Sequence, residues 1–202
     1  MECYRCSSLC ASRSQVVLPD LPEFGRHCLV LVVGEAPGAD EDAQGKGFVG
    51  RAGRTLHALL EEYGLRRGHD YGCANIVRCR PPENRKPTET EIGMCLPNLA
   101  NTIADARLAA VLAVGETATR AITGIRGLSE NLRLLRYHNH DPLPAEMLCN
   151  LKIRAAWPHG AKLFLMPHTS PLAWNRNAPD GRKWSVWGRE QVSLLAALLP
   201  KG

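Results

Sequence analysis

The sequence has no apolar stretch long enough to span a membrane as a helix. It also has no charged-then-apolar leader ending in a small-residue cleavage site. Those absences set aside a membrane-anchored or secreted protein and leave a soluble, cytoplasmic one, with no membrane partner, as the expectation. Internal repeats and low-complexity tracts are missing too, so nothing calls for a repeat architecture. The phosphate-cradling signatures fail as well. The turn after the first apolar run reads GEAPG rather than G-x-G-x-x-G, and no G-x-x-x-x-G-K-S/T occurs, which argues against a nucleotide-cofactor enzyme. Phenylalanine is scarce, at three residues, so one placed between glycines in a loop stands out.

What is present fits one α/β domain over residues 1–202, a length that buries a core without staples. A formal charge of +5 and a pI near 8.9 permit a polyanionic partner without requiring one. The eight cysteines are more informative. In a chain of this size without a leader they do not read as a disulfide framework. Cys3 and Cys6, in C-x-x-C spacing, together with Cys79 and Cys95 look like soft ligands gathered from two segments, for zinc or for an iron–sulfur cluster. Taken alone, zinc is the commoner occupant. Cys28 and Cys149 read as packed thiols.

Residues 1–14 read as a metal-tethered extension, followed by a linker with Pro19, Pro22 and Gly25. The apolar run from about Cys28 to Val33 predicts a parallel strand covered on both faces. GEAPGADEDAQGKGFVGRAG follows, turns on Pro37 and Gly38, and enters a helix near Arg51 that Gly64 closes. Tyr71 to Val77 predicts a second strand, and Cys79 to Pro87 a rigid basic loop. Thr88 and Glu91 form a capping box for a helix carrying Cys95. Ala109 to Val114 predicts a third strand, with a helix from Glu116 to about Ile122. Residues 127–160 read as a long irregular excursion. Lys162 to Met166 is a fourth strand, broken by Pro167, and a final amphipathic helix covers about Val186 to Leu199. Strands alternating with helices predict an α/β fold with a mainly parallel sheet and its carboxyl-end loops gathered at one edge.

Those loops hold the residues with chemistry. Glu35, Asp40, Glu41 and Asp42 are candidates to activate a water or stabilise positive charge on a sugar. For Asp40 and Asp42 a solvated loop or helix cap is the preferred reading, whereas Glu35 follows the strand directly. Phe48 is either a surface for stacking a flat ligand or a buried anchor of its loop. Asn75, at a strand end, offers a donor and an acceptor to an amide-like edge, unless it is a satisfied turn residue. His168 is placed to donate to an oxygen where charge develops. Arg78, Arg80, Arg85 and Lys86 around Asn84 suit phosphate contacts or form a solvated charge run. Trp174, Trp184 and Trp187, with Arg176, Arg182 and Lys183, either flank a nucleic-acid backbone or pack the last helix.

Taken together, GEAPGADED-x-x-G-x-G-FVGRAG, then NIVRCRPPENRKP-x-x-x-E, and the paired N-terminal cysteines resemble the family 4 uracil-DNA glycosylases. The likeness is strong from Cys3 to about Val114 and weaker from there to the His168 loop. It implies a three-layer α/β/α fold around a four-stranded, mainly parallel sheet, and hydrolysis of the N-glycosidic bond of uracil in DNA to leave an abasic site. It also implies a [4Fe–4S] iron–sulfur cluster on Cys3, Cys6, Cys79 and Cys95, in place of zinc. The family's stacking aromatic falls on Phe48, its base-reading asparagine on Asn75, its second-motif histidine on His168, and its first-motif acids on Glu35 and Glu41. Gly34, Ala36 and Gly38 would complete the base pocket. Arg80, Asn84, Arg85, Lys86, Ser170, Trp174 and Arg176 would meet the DNA, and the simplest assembly is a monomer.

The sequence departs from that pattern at three places. Gly47 stands where the family usually has proline before the stacking phenylalanine. The second motif reads His168-Thr169-Ser170-Pro171 rather than His-Pro-Ser or His-Pro-Ala, which adds a hydroxyl near the leaving group. Cys10 competes with Cys6 as a ligand, because one extra residue separates the pair from the following arginine. Within the same fold the alternatives are a glycosylase for another modified or deaminated base and a non-catalytic iron–sulfur DNA-binding protein.

Overall fold

Short, mostly apolar runs build the strands β1 (Val30–Gly34), β2 (Tyr71–Asn75), β3 (Ala110–Val114) and β4 (Lys162–Met166). The computed structural model describes residues 3–22, 28–106, 108–137, 148 and 150–199. In it the strands form one sheet in the order β2-β1-β3-β4, and every pairing is parallel. The helices are α1 (Ser7–Ser12), α2 (Ala39–Gln44), α3 (Arg51–Glu62), α4 (Glu89–Asp105), α5 (Glu116–Thr123), α6 (Leu128–Tyr137), α7 (Leu151–Ala156), α8 (Pro171–Trp174) and α9 (Trp184–Leu198), with a 3-10 turn at Pro82–Asn84. Among the described residues no helix is long and apolar enough to cross a membrane.

Successive strand residues point to opposite faces, and here both faces are buried. Leu31, Val33, Val111, Ala113 and Leu165 pack with Leu99 and Ile103 of α4 and Ile122 of α5. Val30, Val32, Leu112, Val114 and Met166 pack on the other side with Leu56 and Leu60 of α3 and Val192 and Leu195 of α9. Burying each such aliphatic side chain contributes roughly 1.5–3 kcal/mol. The outcome is the expected three-layer α/β/α arrangement.

The strand order creates the site. From β1 the chain runs to β2 on one side, then returns to place β3 on the other. Connections that leave to opposite sides open a crevice at the carboxyl ends of the strands. Register aligns those ends: Gly34 pairs with Asn75, and Val114 with Met166. Glu35, Asn75, Gly115 and His168 therefore emerge along one edge.

Three stretches differ from expectation. Residues 1–14 are more than an extension: they carry α1, whose Leu9 is buried in the core. Ser12 Oγ donates to the Arg80 carbonyl at 2.7 Å and Val17 N to the Arg78 carbonyl at 2.8 Å, so this segment is sewn to the basic loop. The supposed irregular excursion contains α6 and α7. Asn150 caps α7 by accepting from the backbone N–H groups of Lys152 and Ile153, and Ile153 is fully buried. Its proline- and histidine-rich centre, residues 138–147, and Cys149 lie outside the described residues. Third, Asp40, Glu41 and Asp42 belong to a helix, α2, at whose first turn acidic side chains are favoured.

Candidate active site

A cavity of about 460 Å³ opens at the carboxyl edge of the sheet, walled by the loops that follow β1, β2 and β4. Its floor is Gly34. A Cβ there would lie 2.6 Å from both Asn75 Oδ1 and Phe48 Cζ, so only glycine lets the amide and the ring close over the strand end. Gly47 flanks the same amide: a Cβ on it would meet Asn75 Nδ2 at 3.7 Å, ordinary contact that leaves room for a side chain.

Phe48 holds a left-handed backbone, φ +58°, which is costly for a residue with a Cβ. Its surroundings impose that shape. Gly53 lets α3 approach the Phe48 backbone so closely that a Cβ would overlap it. Glu41 accepts from Val49 N at 3.0 Å, Gly50 N at 2.8 Å and Gly38 N at 3.0 Å, so both carboxylate oxygens are committed to backbone amides. Sequence reasoning left Glu35 or Glu41 to position the water; the contacts of Glu41 make it a staple for the Phe48 loop. Asp42 is structural, but not as the solvated or capping residue that the sequence predicts: it is buried and accepts from Ser14 N at 2.8 Å and Gln15 N at 3.3 Å, tying α2 to the N-terminal segment. Asp40 is exposed at the cavity rim.

Glu35 lines the cavity, and among the described residues its carboxylate has no hydrogen-bond or ion-pair partner. His168 faces it from the β4 side. Its Nδ1 accepts from Ser170 N at 3.1 Å, which puts the proton of the neutral ring on Nε2. The residue is exposed at the cavity mouth, but the walls around the ring strip enough water from it to push the imidazole below its ordinary range; Glu35 opposes that push, and Lys86 adds to it. Gly115 packs beside the histidine, where a Cβ would stand 3.4 Å from His168 Cβ in ordinary contact; it is its backbone, at φ +88°, that favours glycine. Thr169 Oγ1 donates to the Ala52 carbonyl at 2.7 Å and the residue is buried. That corrects the expectation of an extra hydroxyl at the leaving group: the hydroxyl is already bonded to α3.

The basic loop divides by role. Arg78 donates to the Asn98 carbonyl at 2.9 Å and to Thr102 Oγ1 at 3.0 Å, so it braces α4 rather than facing a phosphate. Arg80 Nε donates to Asn84 Oδ1 at 2.8 Å. Arg85 forks onto Glu91 at 2.9 and 2.7 Å. That hydrogen bonding, against the opposing effect of burial, holds the Glu91 carboxyl down at about 2. Lys86 is exposed. Arg85 and Asn84 also line the cavity, and Glu83 and Asn84 hold left-handed backbones at φ 53° and 56°.

Past His168, Ser170 and Pro171 start α8. Trp174 packs its ring over Gly188 of α9, where a Cβ would overlap it, so it anchors α8 and is not a free wedge. Trp187 is buried beneath Arg182, whose guanidinium lies 4.5 Å from the ring centroid, which favours the packing reading of that patch. Arg176 is exposed. Sequence reasoning did not single out Leu172, an aliphatic residue directly after Ser-Pro that is 71% exposed on α8. It also missed Arg67 and His57, which lie behind Phe48 and carry no local motif.

A second concavity gathers thiols. Cys3, Cys6, Cys10, Cys79 and Cys95 line it, from the N-terminal segment, the basic loop and α4. Arg13 donates to Cys79 Sγ at 2.8 Å, and Asn98 Nδ2 approaches Cys95 Sγ at 3.7 Å, contacts that suit sulfur carrying negative charge. Burial pushes the Cys6 thiol up, and the charges of Cys95, Cys3 and Cys79 act in the same direction. Among the described residues no group of His, Cys, Asp or Glu is already arranged as a metal-ion shell. The donor chemistry is nonetheless all sulfur, the set that soft metals and iron–sulfur clusters take.

The chain matches the family model described as the uracil DNA glycosylase superfamily over residues 22–188. It is 43% identical over 98 residues to a type-4 uracil-DNA glycosylase of Pyrobaculum aerophilum, an alignment covering 48% of this chain and 50% of that one. The corresponding Thermotoga maritima protein is 42% identical over 106 residues, covering 48% and 55% of the two chains. That of Archaeoglobus fulgidus is 41% identical over 93 residues, 46% of each. The chain spans about half the length of the curated relatives it matches. The family match itself runs from before β1 into α9 and takes in Glu35, Phe48, Asn75 and His168: the chain belongs to the uracil DNA glycosylase superfamily.

Proposed function

We propose that this chain hydrolyses the N-glycosidic bond of uracil in DNA and leaves an abasic site. The observation that carries this reading is the meeting of the Asn75 amide and the Phe48 ring over Gly34, in the cavity that Glu35 and His168 also line. A cavity of about 460 Å³ accommodates a flipped nucleotide. Phe48 stacks on the base face. Asn75 donates to uracil O4 and accepts from N3–H, an edge that cytosine presents with reversed polarity.

As the glycosidic bond breaks, electrons move onto the pyrimidine. His168 Nε2–H donates to O2, where that charge gathers, without gaining a proton first. The unpartnered Glu35 carboxylate faces the sugar, stabilises its growing positive charge and orients the attacking water. Glu41 acts through the loop it staples. Lys86, Arg85, Arg80, Asn84, Ser170 and Arg176 supply contacts to the DNA backbone around the rim. The exposed Leu172 wedges into the stack that the base has left. The whole pocket lies within one chain, which supports a monomer.

Cys3, Cys6, Cys79 and Cys95 would hold a [4Fe–4S] cluster. Bound there, it would supply a structural tie between the N-terminal segment and the basic loop and take no part in the reaction.

The test is incubation with matched oligonucleotides carrying uracil, hypoxanthine, xanthine or a thymine mispair, followed by alkaline cleavage. Strand breaks at uracil are expected. Cleavage at another base alone would move the chain to a sister specificity, and no cleavage by folded protein would end the glycosylase reading. Asn75→Asp, which cannot donate to O4, should lower kcat/KM on uracil by roughly ten- to a hundredfold.

A further inference from the structure

A polar network behind Phe48 takes no part in the chemistry above. Arg67 is its centre. The guanidinium donates to the Gly47 carbonyl at 2.5 Å and to the Phe48 carbonyl at 3.4 Å. It is fixed on Asp20 through Nε at 2.9 Å and Nη2 at 2.8 Å. Asp20 in turn exchanges both backbone hydrogen bonds with Cys73 of β2, at 2.8 and 2.7 Å, so the clamp is anchored to the sheet edge.

Arg67 Nη1 also lies 2.7 Å from His57 Nε2. A guanidinium only donates, so Nε2 carries the lone pair, and its 3.0 Å approach to the Phe48 oxygen is a contact, not a hydrogen bond. The ring proton is then on Nδ1, facing Tyr71 Oη at 2.7 Å. Burial, and after it the Arg67 charge, lower the His57 pKa to about 4, which keeps this ring neutral.

The geometry points to Arg67 as a positioning residue that, with His57 behind it, holds Phe48 in its left-handed conformation and so sets the stacking face of the base pocket. The carbonyls of residues 47 and 48 are taken by a cation, and the amides of residues 49 and 50 by the Glu41 carboxylate. Strained φ values persist only where the surroundings over-determine them. Two opposite charges gripping consecutive peptides do so here. In its functional consequence the inference rests on the glycosylase reading; in its structural one it does not.

The experiment therefore has two readouts. The chain has three phenylalanines, so 4-fluorophenylalanine labelling gives three fluorine resonances, of which Phe48→Leu assigns one. Arg67→Met should shift and broaden the Phe48 resonance, while Arg66→Met, at an exposed neighbour paired with Asp70, should leave it alone. Arg67→Lys keeps a charge for Asp20 but cannot span two carbonyls, and it should show the same change in a folded protein. On uracil-containing DNA, Arg67→Met should cost about tenfold in kcat/KM, and this loss should vanish in a Phe48→Ala background. An unchanged fluorine spectrum in folded Arg67→Lys and Arg67→Met would overturn the clamp, as would additive losses with Phe48→Ala. A wild-type protein that excises no uracil but shows the fluorine change would sink the glycosylase reading and leave the clamp standing.

Discussion

Thr169 Oγ1 donates to the Ala52 carbonyl at 2.7 Å and thereby ties the turn bearing His168 to the first turn of the helix that follows Phe48. The two walls of the pocket are bonded to each other at this point. Thr169→Val keeps the shape and removes the bond, at about 1 kcal/mol for a typical buried hydrogen bond. A lower urea midpoint with an unchanged slope is expected, together with a fall in kcat larger than any change in DNA affinity. If stability drops and kcat does not, the bond supports the fold without aligning His168.

His168 carries a sharper expectation. Its Nδ1 is occupied by Ser170 N–H, and the loss of water around the ring lowers its pKa below 6.5. The neutral ring is therefore the working form at neutral pH. Excision should stay level as pH falls from 8 to 6.5 and decline only below, where a second ring proton displaces the Ser170 bond. His168→Ala should lose about 2.7–4 kcal/mol of barrier stabilisation, with DNA affinity near that of the parent. Activity that rises as the histidine titrates would mean that an imidazolium is the donor.

Much of this was legible in the chain. Apolar strand runs, Thr88 with Glu91, and the loop from Gly34 to Gly53 are local signals, and the sheet and pocket follow from them. What stayed hidden is relational. Nothing near Arg67 in sequence says that its fork reaches two carbonyls some twenty residues away. Arg78 and Arg85 read alike in a basic loop and both bond to α4, yet Arg78 is spent on Asn98 and Thr102 whereas Arg85, on Glu91, still lines the cavity. Glu41 resembled Glu35 as an acid in the same loop, until three backbone amides claimed it. Partners across the fold, not residue type, separated these roles.

Acid should weaken the fold in two windows. His57 has its pKa lowered from 6.5 to about 4 by burial and then by Arg67, so between those values the unfolded chain binds more protons than the folded one. Stability must then fall as pH drops from 6.5 toward 4. Glu91, lowered from 4.5 to about 2 chiefly by Arg85, stabilises above 4.5 and loses that contribution as pH falls toward 2. Urea midpoints measured at successive pH values should show both declines. His57→Gln, which keeps an acceptor for Arg67 but does not titrate, should flatten the first, and Glu91→Gln the second. A His57→Gln protein with the parental slope between pH 6.5 and 4 would show that the ring is not buried neutral.

Cys6 and Cys10 both line the thiol cavity, and their contacts favour Cys6 as the ligand in the proposed cluster. Cys6 caps α1, and Cys10 follows one turn later, with its N–H donating to the Cys6 carbonyl at 2.9 Å, so both line the cavity. Their thiols differ in company. Cys6 Sγ touches Met94 Sδ at 3.7 Å, on α4 beside Cys95, whereas Cys10 Sγ turns to the Cys3 carbonyl at 3.4 Å. If the proposed cluster is present, Cys10→Ser should retain the iron, acid-labile sulfide and brown colour expected of the purified parent protein. Cys6→Ser should lose them, along with thermal stability, because α1 is joined to the basic loop beside the same thiols through Ser12 and Arg13. Iron loss from Cys10→Ser with retention in Cys6→Ser would reverse the assignment and make the extra residue after Cys6 a shift in the ligand itself.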